Sequence, residues 1–470
     1  MITPRRSSPP PPHSSAEQRR GDPEELITLL TGWGRTAPTA ATVVEAAAAD
    51  VPALLRSRPH RGVVARGLGR SYGDAAQNAG GTVLAPITGP TTLDRSGDGV
   101  LVTAAAGTSL HELMGTLLAQ RLFVPVTPGT RYVTLGGAVA ADIHGKNHHR
   151  DGSFADQVVA LDLVTADGTV RTIGPDADPD LFWATAGGMG LTGVITSVTF
   201  RALPVDSAYV RVRTERLPDL ESLMRTMRAS DHEHRYSVAW IDTLARGRAL
   251  GRAVLTRGDH ARTEELTGAA RRHPWEPPHD PRVAVPLTPP AGLVTGLSVR
   301  AFNELWFRKA PRDRVGVQSI ASFFHPLDLV DGWNRLYGRG GLVQYQLVVP
   351  DHAESAVGEV LRMLSDAGQP SFLAVLKRFG AGNPGLLSFP VPGWTLALDL
   401  PTSPGLAPLF RSLDTLVVDA GGRLYLAKDS RVTPEVFDRM YDRAEEFRTL
   451  RRELDPDGVL RSDLARRLHL

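Results

Sequence analysis

Lysine is scarce in this chain. Of 53 basic residues only Lys146, Lys309, Lys377 and Lys428 are lysine, and arginine fills the rest. An ammonium is compact and its pKa is tunable by burial; a guanidinium is broad and permanently charged. Positions that keep lysine are therefore candidates for anion binding or proton handling, against the plainer reading of chance survival. Lys146 lies in a polar cluster with His144, Asn147, His148 and His149. The cluster reads as a ligand-binding turn or as a solvated loop. Zinc is the poorest reading, because no carboxylate or further histidine joins it at ligand spacing. Lys428 stands in Tyr425-Leu426-Ala427-Lys428-Asp429. Strand alternation there would put Lys428 and Leu426 on one face, unless a turn or bulge intervenes. An ion pair with Asp429 or another acid at the domain seam is the structural alternative to a chemical role.

The cluster closes a longer stretch, Thr127 to Asn147, with Gly129, Gly136 and Gly137 ahead of a short apolar run. Glycines permit close approach of a flat ligand to backbone. A buried glycine-rich turn is the bland alternative. A second glycine-rich loop, Arg66-Gly67-Leu68-Gly69-Arg70-Ser71-Tyr72-Gly73-Asp74, follows a short apolar run at 62–65. A strand feeding such a loop can present backbone N–H groups to phosphate. Its spacing fits neither the dinucleotide fingerprint nor the kinase loop.

The 470 residues suit two or three domains, and the apolar content is ordinary for a globular protein. The net charge of +2, without a basic run carrying aromatics, argues against a nucleic-acid partner. With no cysteine, disulfides, thiolate metal sites, a cysteine nucleophile and a cysteinyl cofactor bond are excluded. Residues 1–22 are Pro- and Ser-rich, expected to be disordered, and lack a signal peptide's apolar core. No apolar run reaches membrane-spanning length, so the sequence taken alone suggests a soluble, cytoplasmic or peripheral membrane protein.

Positioning elements follow from periodicity. Helices are expected at 43–55, 110–120, 180–186 and 220–227, and strands at 82–84, 99–105 and 191–200. A hairpin is expected around Asp167-Gly168. From 206 to 422 strand signals (209–213, 236–241, 341–349, 371–379, 394–400) and a helical stripe at Val357, Val360, Leu361 and Leu364 suggest an antiparallel sheet covered by helices. The Pro-rich run 273–292 reads as a mobile lid or a plain linker. Trp240 and Trp394 read as core before ligand contacts. Thr433-Pro434 should cap a long helix carrying Phe437, Met440, Tyr441 and Phe447.

The loop at 66–74, Pro128-Gly129-Thr130 with Leu135-Gly136-Gly137, and Asp180–Ala184 followed by Gly187-Gly188, Gly190 and Gly193-Val194 resemble the flavin-binding domain of the vanillyl-alcohol-oxidase (PCMH) type. The resemblance implies an α+β fold: an FAD-binding domain over 23–205, a substrate domain over 206–422, and a segment over 423–470 returning to the FAD domain. It places FAD against Arg66 through Asp74, Gly129, Thr134, Leu135, Gly136, Gly137, His144, Gly145, Lys146, Asn147, Ile195 and Tyr425. Arg70 stands near the position where many relatives carry a histidine bonded to the flavin. With no cysteine either, the FAD is expected to be non-covalent.

Four further segments, Asp142–His149, Gln344–Gln346, Pro392–Trp394 and Tyr425–Arg431, resemble the decaprenylphosphoryl-β-D-ribose 2′-oxidase family, the flavoprotein half of an actinobacterial epimerase. This implies oxidation of a polyprenylphosphoryl-ribose to its 2′-keto sugar, on the way to the arabinose donor for cell-wall arabinan. Lys428, His144 and Tyr72 are the candidates at the hydroxyl, and Lys146, Trp240, Gln344, Gln346, Lys377 and Lys428 at the substrate. No metal is implied. A separate nicotinamide-dependent reductase, a membrane surface and a cell-envelope or periplasmic location follow from the same resemblance. Ala397 departs from it, since the best-known members carry cysteine there. The alternatives are an alditol or aldonolactone oxidase, or a flavin- or lipid-binding protein without turnover.

Overall fold

Two antiparallel sheets and one small mixed sheet carry the computed structural model, which describes residues 26–277, 283–290 and 292–470. The Pro/Ser-rich segment 1–22 and part of the 273–292 run lie outside the described residues.

The mixed sheet has β1 (Leu26–Leu30), β2 (Thr39–Val44), β3 (Val63–Ala65) and β4 (Thr82–Leu84) in the order β1-β2-β4-β3. Helix α1 covers only Val51–Arg56, so the helix expected at 43–55 is corrected. Val43 and Val44 instead extend a β-branched run pairing with both β1 and β4. The helix starts where Pro52, needing no amide partner, can enter the first turn. The second sheet joins β5 (Thr91–Asp94), β6 (Leu101–Ala105), β7 (Val158–Val164), β8 (Val170–Ile173) and β9 (Val194–Arg201), in the order β5-β6-β9-β7-β8. Helices α2 (Leu110–Leu118) and α3 (Leu135–Ala140) bury apolar residues in its core. Ser109 and Glu112 start α2 with reciprocal capping bonds. Pro179–Thr185 (α4) ends at Gly187, whose φ of +77° is costly for other residues.

The third sheet has eight strands: β10 (Tyr209–Leu217), β11 (Tyr236–Ile241), β12 (Ala253–His260), β13 (Asp313–Ser319), β14 (Leu342–Pro350), β15 (Ala374–Phe379), β16 (Gly393–Pro401) and β17 (Arg423–Leu424). Their order is β13-β10-β12-β11-β15-β16-β14-β17, all antiparallel. Period-two alternation divides its residues. Ala239, Leu255, Leu347, Leu376, Leu396 and Leu398 share a core with the apolar stripes of α5 (Leu220–Ser230), α6 (Ser355–Asp366) and α7 (Leu406–Asp419). The residues between them, among them Trp240, Thr256, Gln346, Lys377 and Ala397, face a cavity. The helices thus cover one face and leave the other for a site.

Two further expectations are corrected. The stretch after Leu424 is a turn, closed by Lys428 N–H donating to the Tyr425 carbonyl at 2.9 Å, so strand alternation does not place Lys428. The long C-terminal helix is two, Pro434–Met440 and Ala444–Leu454, because the buried Tyr441 leaves helical geometry and donates its hydroxyl to the Leu424 carbonyl at 2.7 Å. The break lets Phe447 pack beside Gly188. Within the Pro-rich run, Val283–Ala284 pairs in parallel with Val330–Asp331. Among the described residues no helix is long and apolar enough to cross a membrane.

Candidate active site

All four lysines of the chain line one cavity of about 770 Å³. One wall is the open face of the eight-stranded sheet, where registry sets Val254, Trp240, Val375, Ala397 and Gln346 in a transverse row. Gln344 and Asp399 pair in another row, and the Gln344 amide donates to the Asp399 carboxylate. The opposite wall comes from the two glycine-rich stretches. A Cβ at Gly129 or Gly190 would meet nothing within 4 Å, so both present bare backbone to open space. Gly67 is enclosed instead: a Cβ there would lie 2.4 Å from Thr134 Oγ1. The two stretches therefore pack directly on each other.

Of the expected residues, Gly67 through Tyr72, Gly129, Thr134, Gly136, Gly137, His144, Gly145, Lys146, Ile195, Trp240, Gln344, Gln346, Lys377, Tyr425 and Lys428 line the cavity. Four are placed elsewhere. A Cβ on Gly73 would clash with the Asp429 carbonyl, and Asp74 is ion-paired with Arg467 at 2.8 Å, so both hold the loop to the C-terminal segment. Leu135 is fully buried in the second sheet's core. Asn147 is turned inward, donating to the Pro125 carbonyl at 2.9 Å and to Asp151 at 2.7 Å. Arg66 reaches the lining, but its guanidinium donates to the carbonyls of Thr31 and Ala76 and so braces the loop. Trp394 is core, as its sequence reading suggested.

Lys428 is held by two contacts. The Tyr72 amide donates to the Ala427 carbonyl at 2.9 Å, and the Lys428 ammonium lies 4.1 Å from the centre of the Tyr72 ring. The anticipated partner Asp429 is engaged by Arg467 at 2.8 Å and by the amides of Arg431 and Val432. Asp399 takes its place as the acid acting on Lys428. Burial pushes Lys428 down and Asp399 up, each toward its neutral form, and their mutual attraction opposes both shifts. Lys146 and Lys377 are lowered to about 7, by burial first and then by neighbouring ammonium groups. Lys146 donates to the Phe323 carbonyl and lies 4.3 Å from the Phe323 ring centre.

His144 faces Gln346, whose amide nitrogen is 2.8 Å from Nε2. The contact ties the ring to the Gln346 side chain, while Nδ1 is buried without a hydrogen-bond partner among the described residues. Burial, then Lys377, His148 and Lys428, hold the ring well below its ordinary pKa, hence neutral. The rings of Phe379, Tyr425 and Phe389 surround it. His148 packs on Phe379 and is pushed down to about 3, chiefly by burial. Arg70 stacks 3.9 Å over Trp33.

Sequence reasoning missed Asp399, although Ala397 is two residues away on the same strand and alternation places both on one face. It also left Lys309 without a role, yet Lys309 lines the mouth with Trp306 and Pro311.

A large cavity between bare glycine backbone and a polar sheet face, carrying lysines that no carboxylate neutralises fully, fits a flat, anionic cofactor. Residues 39–174 match the model of the FAD binding domain, and residues 399–468 match that of D-arabinono-1,4-lactone oxidase. The class is that of FAD-dependent oxidoreductases.

The chain is 44% identical over 448 residues to decaprenylphosphoryl-β-D-ribose oxidase of Mycolicibacterium smegmatis, spanning 94% of this chain and 97% of that protein. It belongs to the decaprenylphosphoryl-β-D-ribose oxidase family. It is also 25% identical over 434 residues to L-gulono-1,4-lactone dehydrogenase of Mycobacterium tuberculosis, covering 90% of this chain and 94% of that one. Cytokinin dehydrogenase 4 of Arabidopsis thaliana is 32% identical over 161 residues, 33% of this chain and 30% of that protein.

Proposed function

We propose that this protein oxidises the 2′-hydroxyl of a polyprenylphosphoryl-β-D-ribose to the 2′-keto sugar, the first half of an epimerisation toward an arabinose donor. The observation that carries the reading is the convergence of all four lysines with His144, Gln344 and Gln346 on one cavity, with Asp399 buried behind Gln344. FAD bound against the glycine-rich wall supplies the hydride acceptor. The loop 67–72, Gly136, Gly137 and Tyr425 would hold it. Segments 23–205 and 423–470 form the FAD domain in this reading, and 206–422 the substrate domain.

Lys428 meets the reacting hydroxyl. However Lys428 and Asp399 share their proton, the pair keeps one acceptor, an amine or a carboxylate, for the hydroxyl proton. His144, neutral and fixed through Gln346, orients the sugar beside Tyr72. Lys377, Lys146 and Gln344 bind the ribose hydroxyls and the phosphate, and Trp240 flanks them. The keto product requires a separate nicotinamide-dependent reductase to complete the epimerisation. The lipid chain requires work at a membrane surface, and a cell-envelope location accords with it.

Oxidation of a lactone or free alditol is the second reading, favoured by the match over 399–468. Anaerobic flavin bleaching and product analysis with lipid-linked ribose, an aldonolactone and free alditols separate the two. Bleaching by lactones or alditols alone would exclude the lipid-linked substrate.

Two predictions follow from residue identity. Acid precipitation should release all yellow colour to the supernatant, because Arg70 stands near the place where covalent relatives carry a histidine and cysteine is absent. Flavin fluorescence left on the denatured polypeptide would refute this. Ala397 lines the cavity beside Gln346 and offers no thiol. Nitroaromatic compounds that trap the family's cysteine should therefore inhibit only weakly and reversibly. Intact-mass spectra should show no adduct, and a covalent adduct would contradict the assignment.

A further inference from the structure

Ten of the fourteen large apolar side chains exposed among the described residues fall between 283 and 329, about a tenth of the chain. Scattered exposed apolar residues are ordinary, but a concentration of this kind marks a contact surface. Its centre is the helix Gly296–Lys309, here α8. Val299 and Asn303 are its buried residues, Trp306 lines the cavity, and Phe302 stacks on Trp306 at 5.8 Å. Leu297 and Leu305, eight positions and about 80° apart around the helix, both turn outward, 81% and 68% exposed. Ala310 and Pro311, in the link to the edge strand β13, also line the cavity. On β13, Val315 and Val317 share one face, both exposed, while Gln318 on the other face lines the cavity. The apolar surface is therefore the outer rim of the cavity mouth.

Charge favours one occupant. Arg300, Arg308, Lys309, Arg312 and Arg314 are exposed along the same elements. The two acids among them, Glu304 and Asp313, are paired with arginines, Glu304 with Arg252 and Arg308, Asp313 with Arg213. Five exposed cations against two acids leave these elements net positive, and leucine and valine beside such a surface suit an interface of acyl chains and anionic headgroups.

We propose that the outer faces of α8 and β13 dock on a bilayer containing anionic lipid and set the cavity mouth against the membrane. The proposal deepens the reading of a lipid-linked substrate and rests on it. The substrate's polar head would enter past Lys309 and Trp306 while its prenyl chain stays among the lipids.

The test compares the FAD-loaded wild type with a Leu297→Glu/Leu305→Glu variant. Both positions are exposed and outside the cavity, and an unchanged visible spectrum verifies the variant's fold. Flotation uses vesicles of phosphatidylcholine alone and of phosphatidylcholine with phosphatidylglycerol. The wild type is expected to float with the anionic vesicles, less in high salt, and the variant at least tenfold less. Flavin reduction by vesicle-borne polyprenylphosphoryl-ribose should slow about tenfold in the variant, and reduction by a short-chain soluble analogue should not change. Equal flotation of the two proteins, or none by the wild type, overturns the proposal. So does a wild-type dimer that the variant dissolves into monomers, since the edge strand would then serve self-association. Flotation as expected with no reduction by either ribose substrate would leave the surface standing and remove the substrate reading.

Discussion

Lys428→Met is expected to keep the fold and the bound FAD yet reduce its flavin roughly 100-fold or more slowly than wild type, the usual scale for a positioned acid–base group. The ammonium sits in a turn tied to the loop at Tyr72, 4.1 Å over that ring, with Asp399 as the acid acting on it. Among the described residues it holds no surface ion pair whose loss would loosen the domain seam, and Asp429 bonds there with Arg467. Methionine preserves length and fills the volume, so a loss of rate reports chemistry. Lys428→Arg should fail to rescue, because the larger planar guanidinium cannot occupy the site of a compact ammonium against the Tyr72 ring. The measurement is anaerobic bleaching after rapid mixing with substrate. Wild-type bleaching by Lys428→Met would remove Lys428 from the reaction and leave it a packing role. Asp399→Asn, which keeps the shape and the contact with Gln344, tests the pair from its other side.

Much of the flavin-side architecture is legible in sequence because local chemistry decides it. The strands Val63–Ala65, Thr82–Leu84 and Val170–Ile173 are short apolar or β-branched runs cut off by glycine or aspartate. The Asp167-Gly168 turn is fixed by its own bonds, with Asp167 accepting from Thr165 and Thr169 and Gly168 at φ +77°. Legibility fails where a distant partner decides. Tyr425–Asp429 carries the alternation of a strand, but the Tyr72 and Gly73 backbone packs on it and it closes as a turn. The helix at 296–309 passes unnoticed because its leucines face outward and blur the apolar stripe that usually marks a helix. Which face of Gln344 and Gln346 meets the cavity depends on helices Ser355–Asp366 and Leu406–Asp419 covering the other, and no local pattern states that. The lysines were legible as exceptions in an arginine-rich chain. Their convergence on one cavity is a property of the fold alone.

Substrate affinity should fall with rising pH while stability without substrate rises. Lys377 and Lys146 are held at about 7 by burial and by neighbouring ammonium groups, against about 10.4 in the unfolded chain. Between those values the unfolded chain binds more protons than the folded one. Stability therefore increases with pH across that window and is lowest below about 7, where both states are protonated and the folded state carries buried positive charge. The lowered histidines His148 and His260, at about 3 and about 4, exert the same sign of effect below pH 6.5, outside the window. An anionic substrate reverses the slope. A phosphate beside these ammonium groups raises their pKa, so binding takes up protons and weakens by up to about tenfold per pH unit for each lysine engaged. Lys377→Met should weaken half-saturation for flavin reduction by about 10- to 100-fold, the scale of a charge-assisted hydrogen bond of 1.5–3 kcal/mol. It should also flatten the pH slope above 7 and leave the rate at saturation less affected than Lys428→Met does. Urea denaturation between pH 7 and 9 and substrate titration over the same range supply the two slopes. Parallel loss of both at high pH would indicate ordinary alkaline unfolding and exclude the lysines as the source. A full wild-type slope in Lys377→Met would assign the proton uptake to Lys146, whose own methionine variant should then abolish it.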